Sequence, residues 1–196
     1  MLEIKALVPE LVSDYLDFFD NRAFSDGTPN GPCYCTSPNM DISQIYQMVS
    51  EFGTDAKGVI RRYAVKLLDE GKIHGYLAFD GGMPVGWCNA GDRNSYAGID
   101  NFTGIIPKDV CGRTLSVVCF AIAPEYRGQG VAAALLNRAI ADAETAGFAA
   151  VEGYARLQKE RADYDYNGPV RLYEKAGFVE AQRQNGRVLM RKYLKQ

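Results

Sequence analysis

The chain has 196 residues, enough for one ordinary domain or two very small ones, and 47% of them are hydrophobic. Its 22 Lys+Arg against 24 Asp+Glu leave a formal net charge of -2, without the basic excess of a duplex nucleic-acid binder. The single histidine, His74, excludes a two-histidine metal site and an H-E-x-x-H helix, and any Ser-His-Asp triad would have to use it.

Residues 3–8 read as a short strand. Pro9 follows where a first helical turn tolerates it. Leu11, Val12, Tyr15, Leu16, Phe18 and Phe19 then recur at helical spacing. Residues 25–40, rich in Gly, Pro, Asn and Ser, read as a long loop. Asp41 is placed to cap a helix carrying Ile42, Ile45, Val49 and Phe52. Asp55 is placed to cap the next, with Ile60, Ala64, Leu67 and Leu68 on one side and Gly71 at its end. The period then changes. Ile73, Gly75, Leu77 and Phe79 alternate with His74, Tyr76 and Ala78, which predicts a strand. Asp80, Gly81 and Gly82 turn the chain into a second strand over 84–90. Residues 91–112 read as a loop long enough to suggest function. Residues 113–122 predict an apolar strand buried on both faces. A helix over 128–146, a strand over 148–154, a short helix over 168–176 and a hairpin of 178–182 with 188–193 complete the chain. This is a mixed α/β order with one strand–helix–strand crossover near residues 113–155.

Five cysteines stand at 33, 35, 88, 111 and 119, an odd number at irregular spacing. Residues 1–6 mix charged and apolar types, so no signal peptide is expected. No apolar run approaches the roughly 18 residues of a membrane span. Reduced thiols in a cytoplasm are the expectation, with no membrane or nucleic-acid partner. Cys33 and Cys35 are the one close pair, and they lack the second pair that a zinc site needs.

The densest signal is the run from Ser116 to Ala132, an apolar strand entering a polar turn that opens a helix with Gly128 and Gly130 at its start. Glycine lets backbone approach a ligand closely. The first N–H groups of a helix lack internal partners and bind phosphate, and Arg127 adds a fixed positive charge beside them. Residues 128–133 also satisfy the dinucleotide fingerprint G-x-G-x-x-G/A, with Glu152 about 20 residues on. Against that fold, Pro124 to Arg127 separate the strand from the first glycine. More than 120 residues precede the fingerprint, and too little chain follows it to complete the remaining strand–helix units.

Arg127-x-x-Gly130-x-Ala132 resembles the Q/R-x-x-G-x-G/A acyl-CoA loop of the Gcn5-related N-acetyltransferase (GNAT) superfamily, and the run from Pro124 to Gly130 is similar to that family's usual entry into its pyrophosphate-binding helix. Downstream, the run from Leu172 to Phe178 resembles its L-Y-E-K-x-G-F segment. The resemblance implies one α/β domain over residues 1–196, a mixed and mostly antiparallel sheet with helices on both faces. Residues 1–72 would supply mainly acceptor-side helices and 73–196 the acetyl-CoA-binding core. It implies an acetyl-CoA-dependent N-acetyltransferase, without metal, in which a bound primary amine attacks the thioester directly. The alternative is a catalytically silent acyl-CoA-binding sensor or interaction domain.

By the same resemblance, Phe120, Ala121 and Ile122 would lie along the pantetheine arm. The backbone amides of Arg127, Gly128, Gln129, Gly130, Val131 and Ala132 would hold the pyrophosphate. Tyr173 matches the family's tyrosine near the CoA sulfur, where a phenol can protonate the leaving thiolate. The position at which some members carry a basic carboxylate falls here on Ser116. Glu152 is the substitute base, on a strand expected to line the splay, although it could equally pair with an Arg or Lys. Asp92 is a weaker candidate. His74 is expected to be packed or solvent-facing, Trp87 core or pocket wall, and Cys33, Tyr34 and Cys35 pocket lining. The acceptor, a small molecule or a peptide, is not named by the sequence, and no feature decides whether the protein forms a homodimer.

Overall fold

Alternating and continuous apolar runs become seven strands of one sheet: β1 (Glu3–Ala6), β2 (Gly75–Asp80), β3 (Met83–Asp92), β4 (Thr114–Ile122), β5 (Ala150–Arg156), β6 (Val179–Gln184) and β7 (Arg187–Tyr193). The computed structural model describes residues 2–28, 31–53, 56–108, 110–157 and 166–195. The strand order is β1-β2-β3-β4-β5-β7-β6. Every neighbouring pair is antiparallel except β4 with β5, which α5 (Val131–Thr145) connects as the predicted crossover.

Helices cover both faces. On one face, α1 (Val12–Asp17), a π-helical turn (Phe18–Arg22), α2 (Ile42–Phe52), α3 (Ala56–Asp69) and α4 (Ile99–Thr103) supply Tyr15, Phe18, Phe19, Tyr63, Leu67 and Ile99 to a layer with Trp87, Val118, Cys119 and Tyr154. On the other, α5 and α6 (Val170–Lys175) bury Leu135, Leu136, Ala139 and Tyr173 against Val117, Phe120, Val151 and Met190. This fits the expected arrangement, in which a sheet must hide two apolar faces.

Local chemistry explains the boundaries. Asp41 caps α2 through a capping box: its Oδ1 accepts the Gln44 N–H at 2.9 Å and Gln44 Oε1 accepts the Asp41 N–H at 2.7 Å. The expected Asp55 cap lies outside the described residues. The predicted 91–112 loop is shortened, because β3 runs to Asp92 and two short helical segments follow, Arg93–Ser95 and α4. Gly104 ends α4 in the left-handed conformation, at φ +68°.

Two irregularities shape the centre of the sheet. Asn89 pairs with Cys119 and Ala90 with Val117, so Val118 is an extra residue on β4. The β4–β5 ladder runs only from Thr114–Ala150 to Val117–Gly153. Beyond it β4 keeps β3 and β5 keeps β7, and the two strands part to leave a wedge.

Candidate functional site

The wedge opens toward the N-terminus of α5. The predicted helix over 128–146 begins later than expected, at Val131, because Gly130 is its N-cap at φ +86° and Gly128 stands at φ +77°. Those dihedrals favour glycine. A Cβ at either position would meet nothing within 4 Å, so backbone angle rather than packing requires glycine there. No side chain caps the helix. The first intrahelical bond is Ala134 N–H to Gly130 O at 3.0 Å, which leaves the amides of Val131, Ala132 and Ala133 without helical acceptors. Gly128, Gln129 and Gly130 are exposed beside them. This turn suits a phosphate.

Arg127 is placed differently from expectation. Its own amide donates to Pro124 O at 3.2 Å, so it stands apart from the exposed amides. Its side chain donates from Nε to Ile122 O at 3.1 Å and from Nη1 to Asp26 Oδ2 at 2.6 Å. The Thr28 hydroxyl, and after it Arg127, hold the Asp26 carboxyl below its usual range. The 25–40 segment is thereby fastened to the glycine turn.

Inside the wedge, Phe120 N–H donates to Tyr166 O at 2.6 Å, and Asn167 Nδ2 donates to Val118 O at 2.8 Å. Tyr166 and Asn167 thus pair with the edge that β4 exposes. Asn167 also accepts from Arg187 Nη1 at 2.9 Å through its side chain, and from Tyr173 Oη at 2.6 Å through its backbone carbonyl. Tyr173 is fully buried. Its ring lies on Gly153, where the missing side chain makes room, and edge-on to Phe178 at 5.4 Å between centroids.

Glu152 lies on the opposite face of β5. It is fully buried beside Ser116, its register partner on β4. Its Oε1 accepts from Ser116 Oγ at 3.0 Å and from Tyr154 Oη at 2.7 Å, and its Oε2 pairs with Arg191 Nη2 at 3.1 Å. Ser116 and Tyr154 hydroxyls are 3.2 Å apart. Burial, and then the charge of Glu152, push the Tyr154 phenol well above its ordinary value. The sequence raised both a basic and an ion-paired Glu152. The ion pair is present, within a cluster of hydroxyls that the strand pattern did not reveal.

The other residues singled out in the sequence lie around this centre. Asp92 pairs with Arg113 at 3.1 Å and accepts the Asn94 N–H, so it staples a turn. His74 is exposed just before β2, and Trp87 is fully buried. Cys33, Tyr34 and Cys35 join the layer under α1 and α3, with Tyr15 Oη on Tyr34 O at 2.5 Å and Asn89 Nδ2 on Cys35 O at 3.2 Å. Hydrogen bonding between thiols, first with Cys35 for Cys33 and with Cys119 for Cys35, joins burial in raising both thiols well above the ordinary range. Such thiols are poor nucleophiles. Among the described residues, no three His, Cys, Asp or Glu side chains are arranged to hold a metal, and no described helix is long and apolar enough to cross a membrane.

Comparison with known proteins bears on this arrangement. A search of curated proteins finds no match. Among solved structures, the ribosomal-protein-S18-alanine N-acetyltransferase of Escherichia coli is similar at 14% identity, covering 100% of this chain and 96% of that one, with a TM-score of 0.53. The PaiA N-acetyltransferase of Thermoplasma acidophilum, in complex with coenzyme A, is similar at 14% identity over 98% and 99%, with a TM-score of 0.51. A chain of the NatC complex bound to Gag peptide and CoA is similar at 14% identity over 99% of each chain, with a TM-score of 0.54. Identities this low carry the fold alone. The profile of the Acetyltransferase (GNAT) family matches residues 41–178, a span that holds the glycine turn, the wedge and Tyr173 together. The chain belongs to the GNAT acetyltransferase family.

Proposed function

We propose that this protein is an N-acetyltransferase that moves the acetyl group of acetyl-CoA to a primary amine by direct attack. The observation that carries the reading is the conjunction of a wedge beyond Val117 and Gly153 with an uncapped, glycine-opened helix end at its mouth. The amides of Gly128, Gln129, Gly130, Val131 and Ala132 would hold the pyrophosphate. Phe120, Ala121 and Ile122 would line the pantetheine arm. The Phe120 amide donates to Tyr166, so its use requires Tyr166 to withdraw its carbonyl. Acetyl-CoA supplies an activated acyl group, and the wedge amides are suited to the negative charge that develops on a thioester carbonyl oxygen.

Tyr173 is the proposed acid. Its hydroxyl reaches the wedge from below and donates to a main-chain carbonyl of the segment lying there. A neutral phenol is the right state for giving a proton to a thiolate. Glu152 is the proposed base, with its carboxylate set directly beside Ser116. The acceptor class is a primary amine on a small molecule or a peptide. Among the fold neighbours, the NatC complex bound to Gag peptide and the ribosomal-protein-S18-alanine N-acetyltransferase support including peptides among the candidates.

Calorimetric titration with acetyl-CoA, followed by thiol release with a panel of a free-N-terminus peptide, a polyamine and an amino acid, tests the reading. Saturable acetyl-CoA binding with turnover of at least one amine is expected. Binding without transfer to any amine would favour the silent sensor, and stabilisation by NAD in place of CoA would overturn the acetyl-CoA assignment.

A further inference from the structure

Two groups that would receive acetyl-CoA are already engaged: the Arg127 guanidinium beside the glycine turn and the Phe120 amide on the β4 edge. Both engagements lead into one segment, residues 24–28. At its centre, Asp26 Oδ2 accepts from Arg127 Nη1 at 2.6 Å, and the Thr28 hydroxyl donates to the other oxygen of the same carboxylate. At its start, the Phe24 ring stands edge-on to Tyr166, at 6.0 Å between centroids. Tyr166 in turn offers its carbonyl to the Phe120 amide at 2.6 Å.

The contact at Arg127 is open to exchange. The Arg127 and Asp26 side chains are 25% and 29% exposed, so an anion from solvent can reach the pair. Arg127 stays at the mouth of the wedge whichever anion it holds, because its Nε donates to Ile122 O at 3.1 Å. Its remaining donors form part of a planar fork that matches a phosphate better than a single carboxylate oxygen. A pyrophosphate brings two negative charges against one. The exposed turn that would hold it starts at the very next residue, Gly128.

We propose that Asp26 is a latch on the cofactor site: the pyrophosphate of acetyl-CoA takes Arg127 from Asp26, and residues 24–28 then let go of the wedge mouth. The latch rests on the acetyl-CoA reading, though not on transfer to any amine. Release of Phe24 frees Tyr166 to withdraw its carbonyl, and the Phe120 amide becomes available to the pantetheine arm. The same segment contributes Phe24, Ser25, Gly27 and Thr28 to the lining of a cavity of about 280 Å³, with Phe19 and Asp20. Cofactor binding therefore reshapes this cavity. Latching lowers the apparent affinity for acetyl-CoA in proportion to the unlatched fraction.

The test is calorimetric titration of the full chain with acetyl-CoA. Asp26→Asn removes the charge and keeps the shape. It is expected to tighten binding about 3–5-fold, the scale of a partly exposed ion pair that no longer competes. Asp26→Ala should act in the same direction. Relief of plain charge repulsion would also tighten binding, and Arg127→Met separates the two causes. In that background Asp26→Asn should leave the affinity unchanged, because no guanidinium remains to be latched. Amide hydrogen exchange reads the segment directly. Saturating acetyl-CoA should speed exchange at residues 24–28 of the wild type, where a ligand that only orders the protein would slow it. In Asp26→Asn, exchange there should be fast before acetyl-CoA is added. Unchanged or weaker affinity in Asp26→Asn, an equal gain with Arg127 removed, or slowed exchange at 24–28 would each overturn the latch alone. A chain that binds no acetyl-CoA overturns the acetyl-CoA reading and the latch with it.

Discussion

Gly153→Ala should injure this protein more than its single added methyl suggests. A Cβ built on Gly153 lies 2.7 Å from Tyr173 Oη and closer still to ring carbons Cε1 and Cζ. Ordinary carbon contacts need about 3.5 Å, so the ring must retreat by roughly 1 Å. It has little room, because Tyr173 is fully buried and Phe178 stands edge-on against it. Retreat would also stretch the 2.6 Å bond from Tyr173 Oη to Asn167 O. Overpacking of this kind costs about 1–3 kcal/mol, and a buried hydrogen bond about 1 kcal/mol. The sum is about 2–4 kcal/mol, or roughly 4–16 °C in Tm for a chain of this length. Misplacing a reacting group by about 1 Å can cost on the order of 100-fold in rate. Differential scanning calorimetry reads the first effect, and thiol release the second. Gly71→Ala, at a helix end outside the glycine turn, is the control, since its Cβ would meet nothing and only backbone strain should appear. A Gly153→Ala protein with wild-type Tm and wild-type turnover would refute the claim that the Tyr173 ring is wedged on β5.

Gly130→Ala places a side chain at φ +86° and should cost about 1–2 kcal/mol of local backbone energy. It should weaken acetyl-CoA binding in a titration while the far-UV circular dichroism stays that of the wild type. Arg191→Leu leaves Glu152 buried without its cation and should destabilise the fold by about 3–5 kcal/mol in urea. Glu152→Gln keeps one acceptor oxygen and turns the other into a donor, so it too leaves Arg191 without its anion and should destabilise in the same assay. Asp20 is held below the usual carboxylate range first by the Arg61 guanidinium and then by the Tyr34 phenol, with burial opposing. A depressed folded-state pKa stabilises above the ordinary value near ~3.9 and loses that contribution as pH falls through the folded value. Asp20→Asn should therefore cost about 1 kcal/mol or less at pH 7 in urea titrations, and the gap from wild type should close in acid. A gap that stays constant with pH would refute the linkage.

What could be read from sequence is what is local. The glycine turn is seven consecutive residues from Pro124 to Gly130, and its proposed role rests on backbone angle and helix polarity, both coded within that run. The β4 strand was equally plain, because burial on both faces leaves a continuous apolar run. The same continuity hid the extra residue at Val118. A strand with no polar side has no alternation to break, so a slip in its register leaves no trace in composition. Long-range pairings were also invisible. Arg127 finds Asp26 at a separation of 101 residues, and Glu152 finds Arg191 at 39. Tyr154 could have been noticed, since residues two apart on a strand share a face and a Glu and Tyr so placed can bond. The helix within residues 91–112 leaves no periodic signal, because five residues carry too few turns to show one.

The extra residue at Val118 divides β4 into two reading frames. Before it, Leu115 and Val117 face the α5 side, and after it Phe120 and Ile122 do. Odd positions give way to even ones within a single strand. Loss of Val118 alone would merge the two frames into one unbroken alternation, with Leu115, Val117, Phe120 and Ile122 on the α5 side and Cys119 and Ala121 still opposite. Point substitutions along this strand should thus be graded by volume, whereas deletion of Val118 should remove the irregularity itself and leave the α5-facing side chains on their face.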